Sequence, residues 1–125
     1  MTRTARQTVE DYNFVVWNQR DFALAEELLG DTVIRHDVGE STVLTHEEAV
    51  ARVVDHWAMF ERIRFDLNLV VAGDDGEYVA IVYQSPMTLK DGGGDVTVGS
   101  MEIFRVVDGR IIEVWNCGYK QGVWA

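Results

Sequence analysis

The spacing of apolar residues changes once along this chain, and that change limits the fold more than any single motif. Up to about Phe60 the apolar side chains recur every three to four positions, as on helices; from Arg64 onward they alternate. Val9, Tyr12, Val16 and Trp17 share one helical face, which predicts a first helix over about Arg6–Asn18. Asp21 is placed to cap a second helix carrying Leu24, Ala25, Leu28 and Leu29, with Gly30 as its stop. Thr32–Asp37 then reads as a short strand, followed by a loop over Glu40–Leu44. Thr45-His46-Glu47-Glu48 forms a capping box and opens a third helix, with Ala49, Val50, Val53, Trp57 and Phe60 on its apolar side.

The second half reads as strands over Arg64–Ala72, Glu77–Leu89, Val96–Val107 and Arg110–Gly118. Asp-Gly between alternating runs is a strong hairpin signal, because a type I′ turn needs positive φ at both central residues. Asp108-Gly109 is such a site, while Asp74-Asp75-Gly76 and Gly92-Gly93-Gly94 make the other turns. Three helices followed by an antiparallel meander define an α+β fold, with a strongly curved, mostly antiparallel sheet wrapping the helices into a cone around an apolar pocket.

At 125 residues the chain is expected to form one domain over its whole length. A net charge of −10 argues against nucleic acid or anionic membrane as partners and leaves a neutral or cationic small molecule open. Cys117 stands alone, so a reducing, cytoplasmic setting is the simplest expectation. The first six residues lack a signal peptide's apolar run, and no stretch is long enough to span a membrane. No metal or other cofactor is expected. The three histidines lack ligand spacing, and the triple glycine joins strands without opening a phosphate-binding helix.

Asn18-Gln19-Arg20-Asp21-Phe22, Leu44-Thr45-His46-Glu47-Glu48-Ala49-Val50 and Phe104-Arg105-Val106-Val107-Asp108-Gly109-Arg110-Ile111-Ile112-Glu113-Val114-Trp115-Asn116 carry a resemblance that spans nearly the whole chain. The layout resembles the NTF2-like superfamily, and within it the SnoaL-like polyketide cyclases and the ketosteroid isomerases. The implied fold is the NTF2-like cone, three N-terminal helices on a strongly curved sheet. Val33–Gly39 is similar to the isomerase segment that carries its base. The resemblance places that base on His36, or near Asp37, depending on which end of the segment is aligned. Tyr12 matches the isomerase's oxyanion-hole tyrosine and Glu102 its protonated aspartate. Asn116 stands where SnoaL-like cyclases have an acid/base aspartate, and an amide cannot transfer a proton as a carboxylate does.

Alternation puts Val96, Val98, Ser100, Glu102, Phe104 and Val106 on one strand face, and Ile112, Val114, Asn116 and Gly118 on the next. Both sets suit a ligand-pocket wall. His36, Glu102, Tyr12 and Asn116 are therefore the candidate catalytic residues, with Tyr83, Phe104, Trp57, Val114 and Ser100 contacting substrate. Each has a plainer reading: a strand-end histidine bonded to backbone or Asp37, an outer-face salt bridge for Glu102, core packing for the aromatics, a turn role for Asn116. His46 is expected to face solvent, and His56 either to pack in the core or to face the cavity mouth beside Trp57. The opposite faces, with Thr97, Met101, Ile103 and Arg105, then Ile111, Glu113, Trp115 and Cys117, are apolar enough to predict a homodimer built sheet to sheet.

The function these readings favour is a cofactor-independent enzyme on a small hydrophobic carbonyl compound, polyketide-, steroid- or terpenoid-like. His36 would remove an α-proton, and isomerisation, cyclisation or dehydration would follow. The alternatives are epoxide opening, which in relatives of this fold uses paired carboxylates with an arginine, and a non-catalytic ligand-binding or dimerisation module.

Overall fold

The computed structural model describes residues 2–125 and places three helical segments against one curved eight-stranded sheet. α1 (Ala5–Asp11) starts at Thr4, which forms a capping box with Gln7. The helix runs on through Tyr12–Trp17 with π-helical hydrogen bonds, the Asn18 N–H reaching back to the Asn13 carbonyl. Asn13 Nδ2 donates to the Val9 carbonyl at 2.8 Å, the acceptor that an α-helical N–H at that position would use. The widened turns bury Tyr12, Asn13, Val16 and Trp17 together. The expected first helix is thus present in extent, but its inner half is not α-helical.

α2 (Phe22–Leu28) is capped by Asp21, whose carboxylate accepts from the Leu24 N–H at 3.0 Å. Gly30 is not a helix stop. It lies within β1 (Leu29–Asp37), where an added Cβ would sit 3.0 Å from the Ile111 carbonyl oxygen and from Ile112 Cγ2. The glycine is needed for the close approach of two strands. The expected loop over Glu40–Leu44 is a strand, β2 (Glu40–Thr45), paired antiparallel with β1. Its residues are nearly all exposed, so no alternation marked it. α3 (His46–Trp57) opens with the expected capping box of Thr45 and Glu48.

The strand expected over Arg64–Ala72 begins at Asp66, and a further strand precedes it, running from Phe60 to Ile63. Phe60 was expected on the apolar side of the third helix, but that helix ends at Trp57. β3 (Phe60–Ile63) pairs the far end of β5 (Tyr78–Leu89), and β4 (Asp66–Ala72) pairs its near half. Asn18 holds the break: its Oδ1 accepts from the Phe65 N–H at 2.7 Å and its Nδ2 donates to the Phe65 carbonyl at 3.1 Å. β6 (Asp95–Val107), β7 (Arg110–Asn116) and β8 (Lys120–Gln121) complete the sheet. The strand order is β2-β1-β7-β6-β5-β3, with β4 on β5 and β8 on β6. Every pairing is antiparallel except β1 with β7. Asp108 and Gly109 have φ of 52° and 73°, the type I′ geometry expected of that hairpin.

A bulge interrupts the β6–β7 ladder, since Arg105 faces Glu113 while Val106 faces Ile111. The extra residue is Ile112, and it shifts the inside–outside phase of β7. Ile111, expected on the outer face, is therefore fully buried in the core with Val9, Val16, Leu28, Val53 and Val79. No helix among the described residues is long and apolar enough to cross a membrane.

Asn18→Ala should lower the unfolding free energy by about 1–3 kcal/mol in urea titrations, since it removes both hydrogen bonds that hold Phe65 in place.

Candidate active site

The cavity between the helices and the sheet encloses about 220 Å³. One carboxylate lines it, Glu102, only 9% exposed. Alternation along β6 turns it inward with Ser100, Phe104 and Val106. Its Oε2 lies 3.5 Å from Arg35 Nη2 and accepts from Asn116 Nδ2 at 3.1 Å. A carboxylate this buried needs such a countercharge and donor. Its Oε1 has no hydrogen-bond partner among the described residues and is not sealed off from the cavity. That oxygen is a free acceptor at the cavity wall. Asn116 Oδ1 in turn accepts from the Gly118 N–H at 2.6 Å, so the amide is held at both ends.

Aromatic rings form the rest of the wall. Tyr12 packs edge-on against Trp17 and Phe104, with ring centroids 6.3 and 6.1 Å away, and Phe65 stands 5.2 Å from Tyr83. Burial pushes the Tyr12 hydroxyl above its ordinary pKa, against the pull of Arg52, of Trp17 and of Arg35, while Glu102 adds to the rise. Burial and the Glu102 charge raise Tyr83 much further, Ser100 and Asn116 opposing. Both phenols stay neutral over the ordinary pH range, so they can donate hydrogen bonds but do not lose protons to solvent. Ser85 and Met87 follow Tyr83 inward on β5, and Arg52 and His56, four residues apart, face the cavity from α3. Tyr119 stands at its margin.

His36 does not face the cavity. In the parallel pairing of β1 with β7, Arg35 lies opposite Val114 and His36 opposite Trp115. Val114 is buried and Trp115 belongs to the outer face, so Arg35 turns in and His36 turns out. The imidazole stacks on Trp115 at 4.9 Å between centroids, with Nε2 2.6 Å from Glu113 Oε2. Asp37 is exposed at the strand end. The histidine in the cavity is His56 instead, stacked on Phe60 at 5.5 Å and edge-on to Trp17 at 5.6 Å. Burial and the neighbouring Arg52 lower its pKa below the ordinary histidine value. His46, expected to face solvent, is half-buried, with Nδ1 about 3 Å from the Leu29 and Gly30 carbonyls.

Of the residues expected to touch substrate, Tyr83 and Phe104 line the cavity and three do not. Trp57 donates its indole N–H to the Trp17 carbonyl at 3.0 Å and stacks under the Arg20 guanidinium at 4.1 Å, behind the wall. Val114 is a buried core residue. Ser100 donates to the Gly118 carbonyl at 2.5 Å and opens on a separate cleft beneath the C-terminal segment. Arg35, Arg52 and Ser85 were not among the candidates. The pattern held a signal for Arg35: it is two residues from Val33, so if that valine enters the core the arginine must face the same way. No group of three or more His, Cys, Asp or Glu among the described residues could hold a metal ion.

Residues 9–114 match the SnoaL-like domain family, and the chain belongs to it. The fold superposes on a putative polyketide cyclase from Acidithiobacillus ferrooxidans with a TM-score of 0.78, at 17% identity over 93% of this chain and 88% of that one. A SnoaL-like polyketide cyclase from Agrobacterium tumefaciens gives 0.76 at 16% identity, covering 94% and 92%. An epoxide hydrolase from M. tuberculosis described as LEH-like gives 0.73 at 20% identity, covering 95% and 84%. At these identities the likeness shows the shared NTF2-like α+β cone. No curated protein sequence matches the chain.

Because His56 binds its proton more weakly when folded, the unfolded chain is protonated first as pH falls. Its contribution to stability is intact above about pH 6.5, the ordinary histidine value, and lost as pH falls through the lower folded pKa. Chemical denaturation across this range should show stability declining on the acid side, with His56→Gln flattening that limb; an NMR titration should place His56 below 6.5.

Proposed function

We propose that this protein is a cofactor-independent enzyme that moves a proton on a small hydrophobic carbonyl compound, with Glu102 as the base. The observation that carries the reading is the free Oε1 of a buried carboxylate whose other oxygen is held by Arg35 and Asn116. Tyr12 and Tyr83, kept neutral by burial, are donors for the oxyanion that develops when an α-proton leaves. Arg35 cannot be the base, because a guanidinium does not lose its proton, and His36 lies on the other side of the sheet. The apolar walls suit a polyketide- or terpenoid-like compound, and about 220 Å³ is too small for the four rings of a steroid; isomerisation, cyclisation and loss of water all begin with this step.

Epoxide opening is the second reading. The Arg35–Glu102 pair favours it, since the carboxylate can take a proton from an attacking water while a tyrosine donates to the opening oxygen. That chemistry was expected to need paired carboxylates, and only Glu102 lines the cavity, so carbonyl chemistry ranks first.

The assembly we infer is a homodimer packed sheet to sheet. Met101, Ile103, Tyr78, Leu69 and Val71 are exposed apolar side chains on the outer face, an arrangement that supports burial against a second copy. A free, exposed Cys117 supports a reducing, cytoplasmic setting.

Exchange of the α-protons of 2-tetralone in D2O, followed by NMR, tests the chemistry without knowledge of the natural substrate. The wild type should accelerate exchange, Glu102→Gln should lose about 100-fold or more of that acceleration, and His36→Ala should keep it. Full activity in the Glu102 variant would overturn the assignment, and hydrolysis of styrene oxide without ketone exchange would favour the epoxide reading. Sedimentation should show a dimer that Ile103→Asp shifts toward monomer.

A further inference from the structure

The charge inside the cavity narrows the ligand, on the premise that this is the reacting site. Two arginines and one carboxylate face it. Arg35 is matched by Glu102. Arg52 has no ion pair among the described residues. Its helical neighbours Glu48 and Asp55 do not pair with it, and Glu48 accepts from the Thr45 N–H in the capping box. His56, one turn further along α3, is held toward its neutral form by burial and by Arg52. Arg52, half-buried and shared with an outer groove that also holds Glu48 and Asp55, therefore brings a positive charge without an ion pair to the cavity's edge, in a chain whose net charge is −10.

A second observation comes from the sheet side. Ser85 is 1% exposed, lines the cavity, and its Oγ has no hydrogen-bond partner among the described residues. Buried polar groups are nearly always paired, so this hydroxyl marks a place for a polar atom of the ligand. Burying it bare would be unfavourable, and an alanine would have filled the same position.

We infer that the ligand is a small flat acid, with an anionic oxygen group held by Arg52 and a neutral hydroxyl or carbonyl oxygen hydrogen-bonded to Ser85. The cavity volume of about 220 Å³ lies below the ~300 Å³ at which drug-sized sites begin, which limits the apolar body to one or two rings. A carboxylate or an acidic enol meets the charge requirement equally. The overall acidity of the chain would admit only neutral or cationic ligands, and the cavity reverses that preference locally.

The test compares 4-hydroxycinnamate with 4-hydroxycinnamamide, which lacks the charge, and with cinnamate, which lacks the hydroxyl, by isothermal titration calorimetry. The wild type should bind the acid about tenfold or more tighter than the amide, as a hydrogen bond to a charged group implies. Arg52→Gln should bring the two within about twofold, and Arg52→Lys, which keeps the charge, should retain the preference. Ser85→Ala should erase the roughly threefold advantage of 4-hydroxycinnamate over cinnamate and leave the acid-over-amide preference intact. Equal binding of acid and amide by the wild type, a preference that survives Arg52→Gln, or no binding of 4-hydroxycinnamate at millimolar concentration would each overturn the assignment. Glu102→Gln should still prefer the acid, so loss of the proton-transfer reading and loss of this one are read from different measurements.

Discussion

The parallel pairing of β1 with β7 is the constraint on which the rest of this structure depends. It is the one parallel contact in the sheet among the described residues, and it brings the strand after the second helix alongside the last long strand. Side chains alternate strictly across a strand. Once Arg35 is set opposite Val114, the inward and outward membership of β1 is decided. Gly30 makes the approach possible at one end, where any side chain would meet β7 at 3.0 Å. The bulge at Ile112 then resets the phase of β7, so that Val114 and Asn116 still face inward after Ile111 has entered the core.

The charge that this pairing brings inside would be unstable alone. An arginine turned toward an apolar cavity must meet an anion, and Glu102 on β6 is that anion. Asn116 reaches the same carboxylate from β7 while its own carbonyl is tied to Gly118. Three strands thus contribute to one polar cluster at the cavity wall. Removing one partner of such a pair leaves the other buried and unmatched, which costs about 3–5 kcal/mol. The cluster ties the chemistry of the cavity to the register of the sheet, because a slip of one residue in any of the three strands would take its member away.

The elements legible in the sequence were those with a strong local signal. The capping box at Thr45 and Glu48, the Asp108-Gly109 turn and the long alternating runs of β5 and β6 all stand where their residues put them. β2 was not legible because an exposed edge strand has no buried face to write a pattern. Gly30 misled because a glycine after a helical run suits a stop and a tight strand contact equally well. At the site, strand phase puts Glu102, Tyr83 and Phe104 on faces that line the cavity, and Tyr12, singled out by the resemblance, lines it too. His36 was drawn inward by resemblance, although its parity relative to Val33 pointed outward. Trp57, Val114 and Ser100 share a face with cavity residues but lie behind them, a matter of depth that periodicity does not encode.

The π-helical stretch at Tyr12–Trp17 has a consequence for how this wall tolerates change in length. A π turn holds one residue more than an α turn, and an α-helix advances about 100° per residue. Deleting a single residue there would restore regular α hydrogen bonding and remove the irregular ladder at Asn13. The same deletion would leave the turns on either side close to their present phase, because the wider π turn already takes up the extra residue. What the chain would lose is room: the widened turns let Tyr12, Asn13, Val16 and Trp17 be buried together on one stretch of wall. The extra residue adds inward-facing side chains without rotating the helix before it.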